Sequence, residues 1–287
     1  MLFALDFIAR PVLAPYCGTG TRARRTKAAD FLAKAGRGLK PCRRARCGSH
    51  GTDAAAGFGL QTGARGGSVA PMTRSPPRQS PDFTLETDAF ARGARIVVGV
   101  DEVGRGPLAG PVTAAAVRLD PAAIPPGLDD SKRLTPARRA ALAATLMGCA
   151  EVSIAHASVA EIDTLNILAA SHLAMCRAIA GLSSLPDLAL IDGNLLPRDL
   201  PCPGLAIVKG DARALSIAAA SIVAKEARDR IMVELAQHFP GYGWDRNAGY
   251  PTRAHVQALR DIGVSPHHRR SFAPVHNILY QDKTVSS

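Results

Sequence analysis

The chain has 287 residues, 47% of them hydrophobic, enough for one well-filled core and for no more than two domains. Its formal net charge of +11 is uneven: up to Asp82 there are 14 Lys and Arg against 4 Asp and Glu, and the remainder carries 21 against 20. The basic balance belongs to the leading segment, so charge alone does not make the rest a nucleic-acid binder; no run approaches the roughly 18 apolar residues of a membrane span.

Six cysteines (Cys17, Cys42, Cys47, Cys149, Cys176, Cys202) are scattered without CxxC pairs. That pattern fits a reducing compartment with free thiols, such as the cytoplasm, better than a disulfide framework. Met1 to about Asp82 is rich in Gly, Ala, Arg, Pro and Ser, with RARR, CRRARC and GARGGS, and is expected to be disordered. Its apolar start and Arg-rich, acid-poor continuation look superficially like a transit peptide. A solvated basic tail and an upstream start codon, with the true start at Met72, are the competing readings, and the last is preferred. The expected organisation is a basic extension over 1–88 and one folded domain over 89–280.

Ile96 to Val112 reads IVVGVDEVGRGPLAGPV. The apolar, β-branched residues Ile96, Val97, Val98 and Val100 predict a strand buried on both faces, ending in the adjacent acids Asp101 and Glu102. Carboxylates buried there need a cation, a metal or several donors. Gly104, Arg105 and Gly106 follow directly: glycines allow close backbone approach while a planar cation reaches out, which suits a phosphate or a sugar.

Val112 to Leu119 predicts a second strand, antiparallel to the first. Asp129-Asp130-Ser131-Lys132 then precedes Thr135-Pro136, an N-cap with proline at the first helical position, for a helix to about Met147. Lys132 reads on its own as a solvated loop residue. Glu151 to Ala157 alternates as a third strand. Ser158 and Glu161 form a capping-box pattern for a helix through Leu165, and a further helix runs from Asn166 to Ala180 and ends at Gly181. Asn166 reads equally as a helix cap and as a contact to a nucleic-acid backbone.

Leu188 to Ile191 runs into Asp192-Gly193, and Leu205 to Val208 into Lys209-Gly210-Asp211. A long helix is expected from Ala212 to His238, with Glu226/Arg230, Lys225/Asp229 and Arg230/Glu234 paired across its outer face, so Asp229 is read as a surface pair. Phe239 to Pro251 holds the only Trp and two of the four Tyr in a glycine-rich loop. Packing under the loop suits Trp244, and Tyr250 is divided between packing and stacking on a sugar or base. Thr252 caps a helix ending near Ile262-Gly263, which makes His255 structural. Pro266 to Arg270 (PHHRR) reads as a phosphate-facing patch or as a capped, solvated helix end.

Three apolar strands, each running into an acid with glycine close by, would bring four carboxylates to one sheet edge if they lie side by side and parallel. Four such charges repel and call for cations, and oxygen-only donors select Mg2+ or Mn2+ over zinc. Two such ions about 4 Å apart serve in-line displacement at phosphorus, so the reaction class indicated is phosphodiester hydrolysis. A dinucleotide-binding turn is disfavoured, because GVDEVGRG puts acids where phosphate-cradling glycines belong.

The stretches GVDEVGRGPLAGPV, LIDGN, KGDARALSIAAASIVAK and NAGYPTRAHVQALRDIGVSPHHRRSFAPV, in order between Ala94 and Val275, resemble the ribonuclease HII family. The resemblance implies an α/β fold, an RNase H-like mixed sheet flanked by helices with a small helical C-terminal cap. It implies a type-2 ribonuclease H catalytic domain over 89–280 that cuts RNA in RNA/DNA hybrids and 5′ of single ribonucleotides in duplex DNA, leaving 5′-phosphate and 3′-hydroxyl ends. Asp101, Glu102, Asp192 and Asp211 would be the catalytic Mg2+ or Mn2+ ligands. Gly104, Arg105, Gly106, Tyr250, Lys132 and Asn166 would contact the substrate, with Tyr250 stacking on a deoxyribose. The lysine that many members carry two residues before that tyrosine is Ala248 here. A monomer acting in ribonucleotide excision repair is expected. The rivals are a ribonuclease HIII-like hybrid nuclease, an RNase H-like DNA nuclease or resolvase, and a non-catalytic hybrid-binding protein.

Overall fold

A computed structural model describes residues 80–280. The basic leader, with Cys17, Cys42, Cys47 and Met72, and the tail after Tyr280 lie outside the described residues. Helix α1 (Thr84–Ala91) comes first, so the boundary expected at residue 89 falls inside a helix. The reason is a buried side chain: Glu86 Oε1 accepts hydrogen bonds from the Ser216 amide at 2.8 Å and the Ser216 hydroxyl at 2.5 Å. The backbone adds a clasp, with Leu215 N donating to Asp82 O at 3.0 Å and Asp82 N to Arg213 O at 3.3 Å.

The strands are β1 (Val97–Val103), β2 (Val112–Arg118), β3 (Glu151–Ala157), β4 (Leu188–Asp192) and β5 (Gly204–Ile207), in the sheet order β3-β2-β1-β4-β5. The first three pair antiparallel, and β1, β4 and β5 run parallel side by side. Strand β1 does not stop at its acids. It continues to Val103 on β2 alone, with Asp101 opposite Ala115 and Glu102 opposite Ala114, while its pairing with β4 ends at Val100 and Ile191.

Helices cover both faces, as the apolar runs of β1 and β4 require. Val98, Val100, Ala114, Ala116 and Ile191 pack with Ile162 of α3 (Val159–Leu165) and with Ala174, Ala178 and Ile179 of α4 (Ile167–Ala180). Ala115 and Val117 face the other way, against Leu142 and Leu146 of α2 (Pro136–Cys149) and Ala219, Ile222 and Val223 of α5 (Leu215–His238). Gly99 lets α5 close on the sheet, because a Cβ there would run into the backbone of Ser216 and Ile217.

The caps follow the sequence. Thr135 accepts from Arg138 N ahead of Pro136, and Ser158 and Glu161 form both halves of the capping box. Helix α5 starts three residues later than expected, because Lys209 is left-handed (φ 55°) and Gly210–Ala212 is one 3-10 turn. On its outer side Lys225 Nζ meets Asp229 at 2.6 Å, whereas Glu226 pairs with Arg139 at 2.6 Å in place of Arg230. Helices α6 (Trp244–Asn247), α7 (Arg253–Asp261) and α8 (Ala273–Tyr280) form the C-terminal cap. Trp244, Tyr242, Leu259 and Val275 enclose Met232 of α5 together with Leu108 and Ala109. No described helix is long and apolar enough to cross a membrane.

Candidate active site

Asp101 follows Val100 on β1 as Asp192 follows Ile191 on β4, so the end of the shared ladder sets these two acids on neighbouring strands. Asp211 arrives from the 3-10 turn after β5, and Glu102 is the next residue of β1. The carboxylate of Asp101 is buried, takes the Glu102 amide at 2.7 Å and accepts from the Ser221 hydroxyl. Ser221 is in turn hydrogen-bonded to buried Ser131 at 2.8 Å. Asp192 Oδ1 accepts from Gly210 N at 2.7 Å, which ties the β4 acid to the turn that carries Asp211.

The four acids feel one another. Burial, then the charges of Glu102, Asp192 and Asp211, pushes the Asp101 carboxyl well above the usual range. Burial also raises Glu102, against the pull of Arg105, whose Nη1 lies 3.2 Å from Oε1. Burial, then the charges of Asp130 and Asp192, raises Asp211, against Lys132. Lys132 is not a bystander: its Nζ stands 3.6 Å from Asp211 Oδ2. Burial lowers its affinity for the proton, yet the charges of Asp130, Asp211, Asp101 and Asp192 outweigh that and hold it above the ordinary lysine value.

With Asp101, Glu102 and Asp211 each raised by burial and by like charge, the rim is short of positive charge, and such oxygen donors fit Mg2+ or Mn2+. Among the described residues no three Asp, Glu, His or Cys side chains close into a ligand cage. The arrangement is an open rim of carboxylates at one edge of the sheet.

Beside the rim, Gly104 adopts φ 93°, and a Cβ on it would strike the Arg228 guanidinium. A Cβ on Gly106 would sit 3.4 Å from the ring of Tyr250, which is 43% exposed. Loop and tyrosine are thus neighbours, joined by Leu108 N donating to Gly249 O at 2.7 Å. Asn166 (φ 75°) caps α4, its Oδ1 accepting from Leu168 N and Ala169 N. Burial, then the charge of Arg105, lowers His172 of α4. Ala248 takes a left-handed conformation (φ 48°) and gives its carbonyl to Arg228.

The PHHRR stretch is neither a phosphate-facing patch nor a solvated helix end at its centre: His268 and Arg269 are buried. His255 Nδ1 donates to Tyr250 O at 2.9 Å, which leaves its Nε2 to accept from Trp244 Nε1 and from His268 Nε2, both at 3.0 Å. His268 Nδ1 then accepts from the Ser265 amide and hydroxyl. Both rings are therefore neutral, each in one tautomer. Sequence reasoning reached Asp130 and Ser131 only through the Asp130-Ser131-Lys132 stretch, which resembles a family pattern lying near the substrate, and gave no role to Ser221, Arg228 or a buried Arg269.

Known proteins place this architecture. A family model described as Ribonuclease HII matches residues 98–275. The ribonuclease HII of Paracoccus denitrificans (strain Pd 1222) is 68% identical over 206 residues, covering 72% of this chain and 98% of that protein. Among solved structures, the ribonuclease H2 from Pyrococcus horikoshii OT3 matches with a TM-score of 0.56 at 26% identity, over 66% of this chain and 99% of that one. Bst-RNase HIII in complex with Mn2+ shares the fold, with a TM-score of 0.52 at 20% identity, over 66% of this chain and 70% of that one. By its matched motifs, its near end-to-end relatives and its mixed sheet, the chain belongs to the ribonuclease HII family, nuclease hydrolases of the ribonuclease H class.

Proposed function

We propose that the protein hydrolyses the RNA strand of RNA/DNA hybrids and nicks duplex DNA on the 5′ side of a single embedded ribonucleotide, leaving 5′-phosphate and 3′-hydroxyl ends. The observation that carries this reading is the adjacency of an acidic rim to a glycine loop that faces an exposed tyrosine. Asp101, Glu102, Asp192 and Asp211 would hold Mg2+ or Mn2+. Such ions, when bound, supply Lewis acidity at the scissile phosphate and a more acidic water.

The protein's own groups do the positioning. Ser221 and the Glu102 amide hold Asp101, and Gly210 holds Asp192, so the rim does not have to reorganise when charge is placed on it. Lys132 reaches the phosphate side of the rim, and Arg105 and Asn166 flank the strand path. Selection of ribose falls to the amides of the Gly104–Gly106 loop, which meet the 2′-hydroxyl, with Tyr250 against the next deoxyribose. A deoxy sugar would leave those amides unpaired, a strong ground for rejection. The work suits a monomer acting on cytoplasmic DNA in ribonucleotide excision repair.

The test is a duplex bearing one ribonucleotide, incubated with the protein in Mg2+, in Mn2+ and in chelator. One nick 5′ of the ribose residue, lost in chelator, is the expected result. Tight binding without cleavage in either metal would indicate a hybrid-binding protein, and cleavage of an all-DNA junction a resolvase.

A further inference from the structure

Arg269 is completely buried, and all four of its side-chain hydrogen bonds go to main-chain carbonyls. Nη2 reaches Gly104 O at 2.6 Å and Pro111 O at 3.1 Å, Nη1 reaches Arg105 O at 3.0 Å, and Nε reaches Gly110 O at 3.0 Å. Its own amide donates to Leu108 O at 2.8 Å. Arg228 lies alongside, equally buried, and serves Pro111, Ala248 and Ala109. Burial and the neighbouring Arg228 pull Arg269 down to about 9, so it stays cationic at neutral pH. A buried cation with this many fixed bonds is costly unless every donor is used.

The carbonyls it takes decide where the loop amides point. In a planar trans peptide the C=O and the following N–H face opposite sides. Gly104 O shares its peptide with the Arg105 amide, and Arg105 O with the Gly106 amide. With both carbonyls turned inward onto one guanidinium, both N–H groups are turned out, at residues that are themselves exposed, Gly106 beside the Tyr250 ring.

We propose that Arg269 is a specificity-determining positioning residue: by holding the Gly104 and Arg105 carbonyls inward, it fixes the Arg105 and Gly106 amides as a preset pair of donors for a sugar 2′-oxygen. The inference rests on the ribonucleotide reading above and adds a residue that touches no substrate. Lysine keeps the charge but lacks the fork that spans several carbonyls.

Two duplexes differing only in one sugar, ribose or deoxyribose, test it. Affinity is measured in Ca2+ with cleavage suppressed, and nicking of the ribose duplex in Mg2+. Arg269→Lys is expected to lower the ribose-over-deoxyribose affinity ratio and kcat/KM on the ribose duplex by about tenfold. Leu146→Ala, a core truncation on the α2 side of the sheet, is expected to lower Tm and leave that ratio intact. An Arg269→Lys ratio equal to wild type, or moved no more than by Leu146→Ala, overturns the proposal. Should Arg269→Lys not fold, the wild-type amide resonances decide: those of Arg105 and Gly106 shift with the ribose duplex and not with its deoxy twin, and equal responses overturn the proposal. A wild-type protein that neither distinguishes the two duplexes nor nicks the ribose one would overturn the proposed function itself.

Discussion

Lys132 Nζ lies 3.6 Å from Asp211 Oδ2, which places a loop cation at the mouth of a set of carboxylates drawn from three strand ends. Its side chain is 80% exposed, so the contact is a reach toward the rim and not a buried pair. Lys132→Ala is expected to raise KM for a hybrid substrate several-fold with kcat nearly kept. The slope of log KM against log salt should fall by about one, as for the loss of one phosphate contact. A fall in kcat with unchanged salt dependence would contradict this role.

Asp101 is raised first by burial and then by three like charges, so in chelator its ionised form strains the fold. A group whose folded pKa lies above its unfolded value contributes stability that is present at low pH and lost as pH rises through the folded pKa. Asp101→Asn should therefore raise Tm of the metal-free protein at pH 8 more than at pH 5. If Asp101 is a metal ligand as proposed, the same change should lower kcat by about a hundred- to a thousandfold, the scale of losing one preorganised charge-stabilising group. Thermal melts at the two pH values and single-turnover nicking check both halves.

Tyr250→Ala should blunt the preference for a single embedded ribonucleotide over a continuous hybrid, because the stacked sugar matters most where only one ribose is present. Loss of a base or sugar stack costs about 1–3 kcal/mol. Competition between the two substrates in one tube measures the preference directly, and equal loss on both would count against stacking.

His268 titrates far below an ordinary histidine, pushed down to about 3 by burial and then by the charge that His255 takes on when acid protonates it. With a folded value depressed below the unfolded one, its contribution is present above about 6.5 and lost as pH falls toward 3. Trp244 is the only tryptophan, donates to His255 and stacks on Tyr242 at 4.9 Å. Its fluorescence should therefore report acid unfolding. His268→Ala is expected to cost about 1–3 kcal/mol at pH 7 and to flatten the acid limb between those two values.

Glu86 gives one carboxylate oxygen to the first turn of α5 and leaves Oε2 buried without a partner. A chain begun at residue 89 should be less stable than one begun at Met72 by about 1–3 kcal/mol, the cost of orphaned amides at a buried helix start. Burial raises Glu86, so its contribution fades as pH rises. Glu86→Gln should accordingly cost less at pH 8 than at pH 4.5, which denaturant titration at the two values checks.

The acids were legible because apolar strands ending in carboxylates leave a mark in one dimension, and so were Thr135, Ser158 and Asn166, whose caps are local. Lys132 was read as solvated because its partner lies 79 residues away and no spacing links them. The register of β1 was missed at its end: β-branched residues mark a strand, but only β2 shows that pairing continues past Asp101 to Val103. The PHHRR cluster failed most instructively. Adjacent cations normally mean a solvated or phosphate-facing surface, and main-chain carbonyls, which every residue carries, leave no trace by which a sequence could announce that they will satisfy an arginine. Glu226 was given to Arg230 by helical spacing, and tertiary packing gave it to Arg139 of α2.

The clamp on the glycine loop joins residues up to 165 positions apart. During synthesis the acids and all five strands emerge well before the arginine that sets the loop. A nascent or truncated chain ending short of it would carry all four acids of the rim while lacking the cation that holds the Gly104 and Arg105 carbonyls, so on the proposal above ribose selection would be the last property to be set on leaving the ribosome.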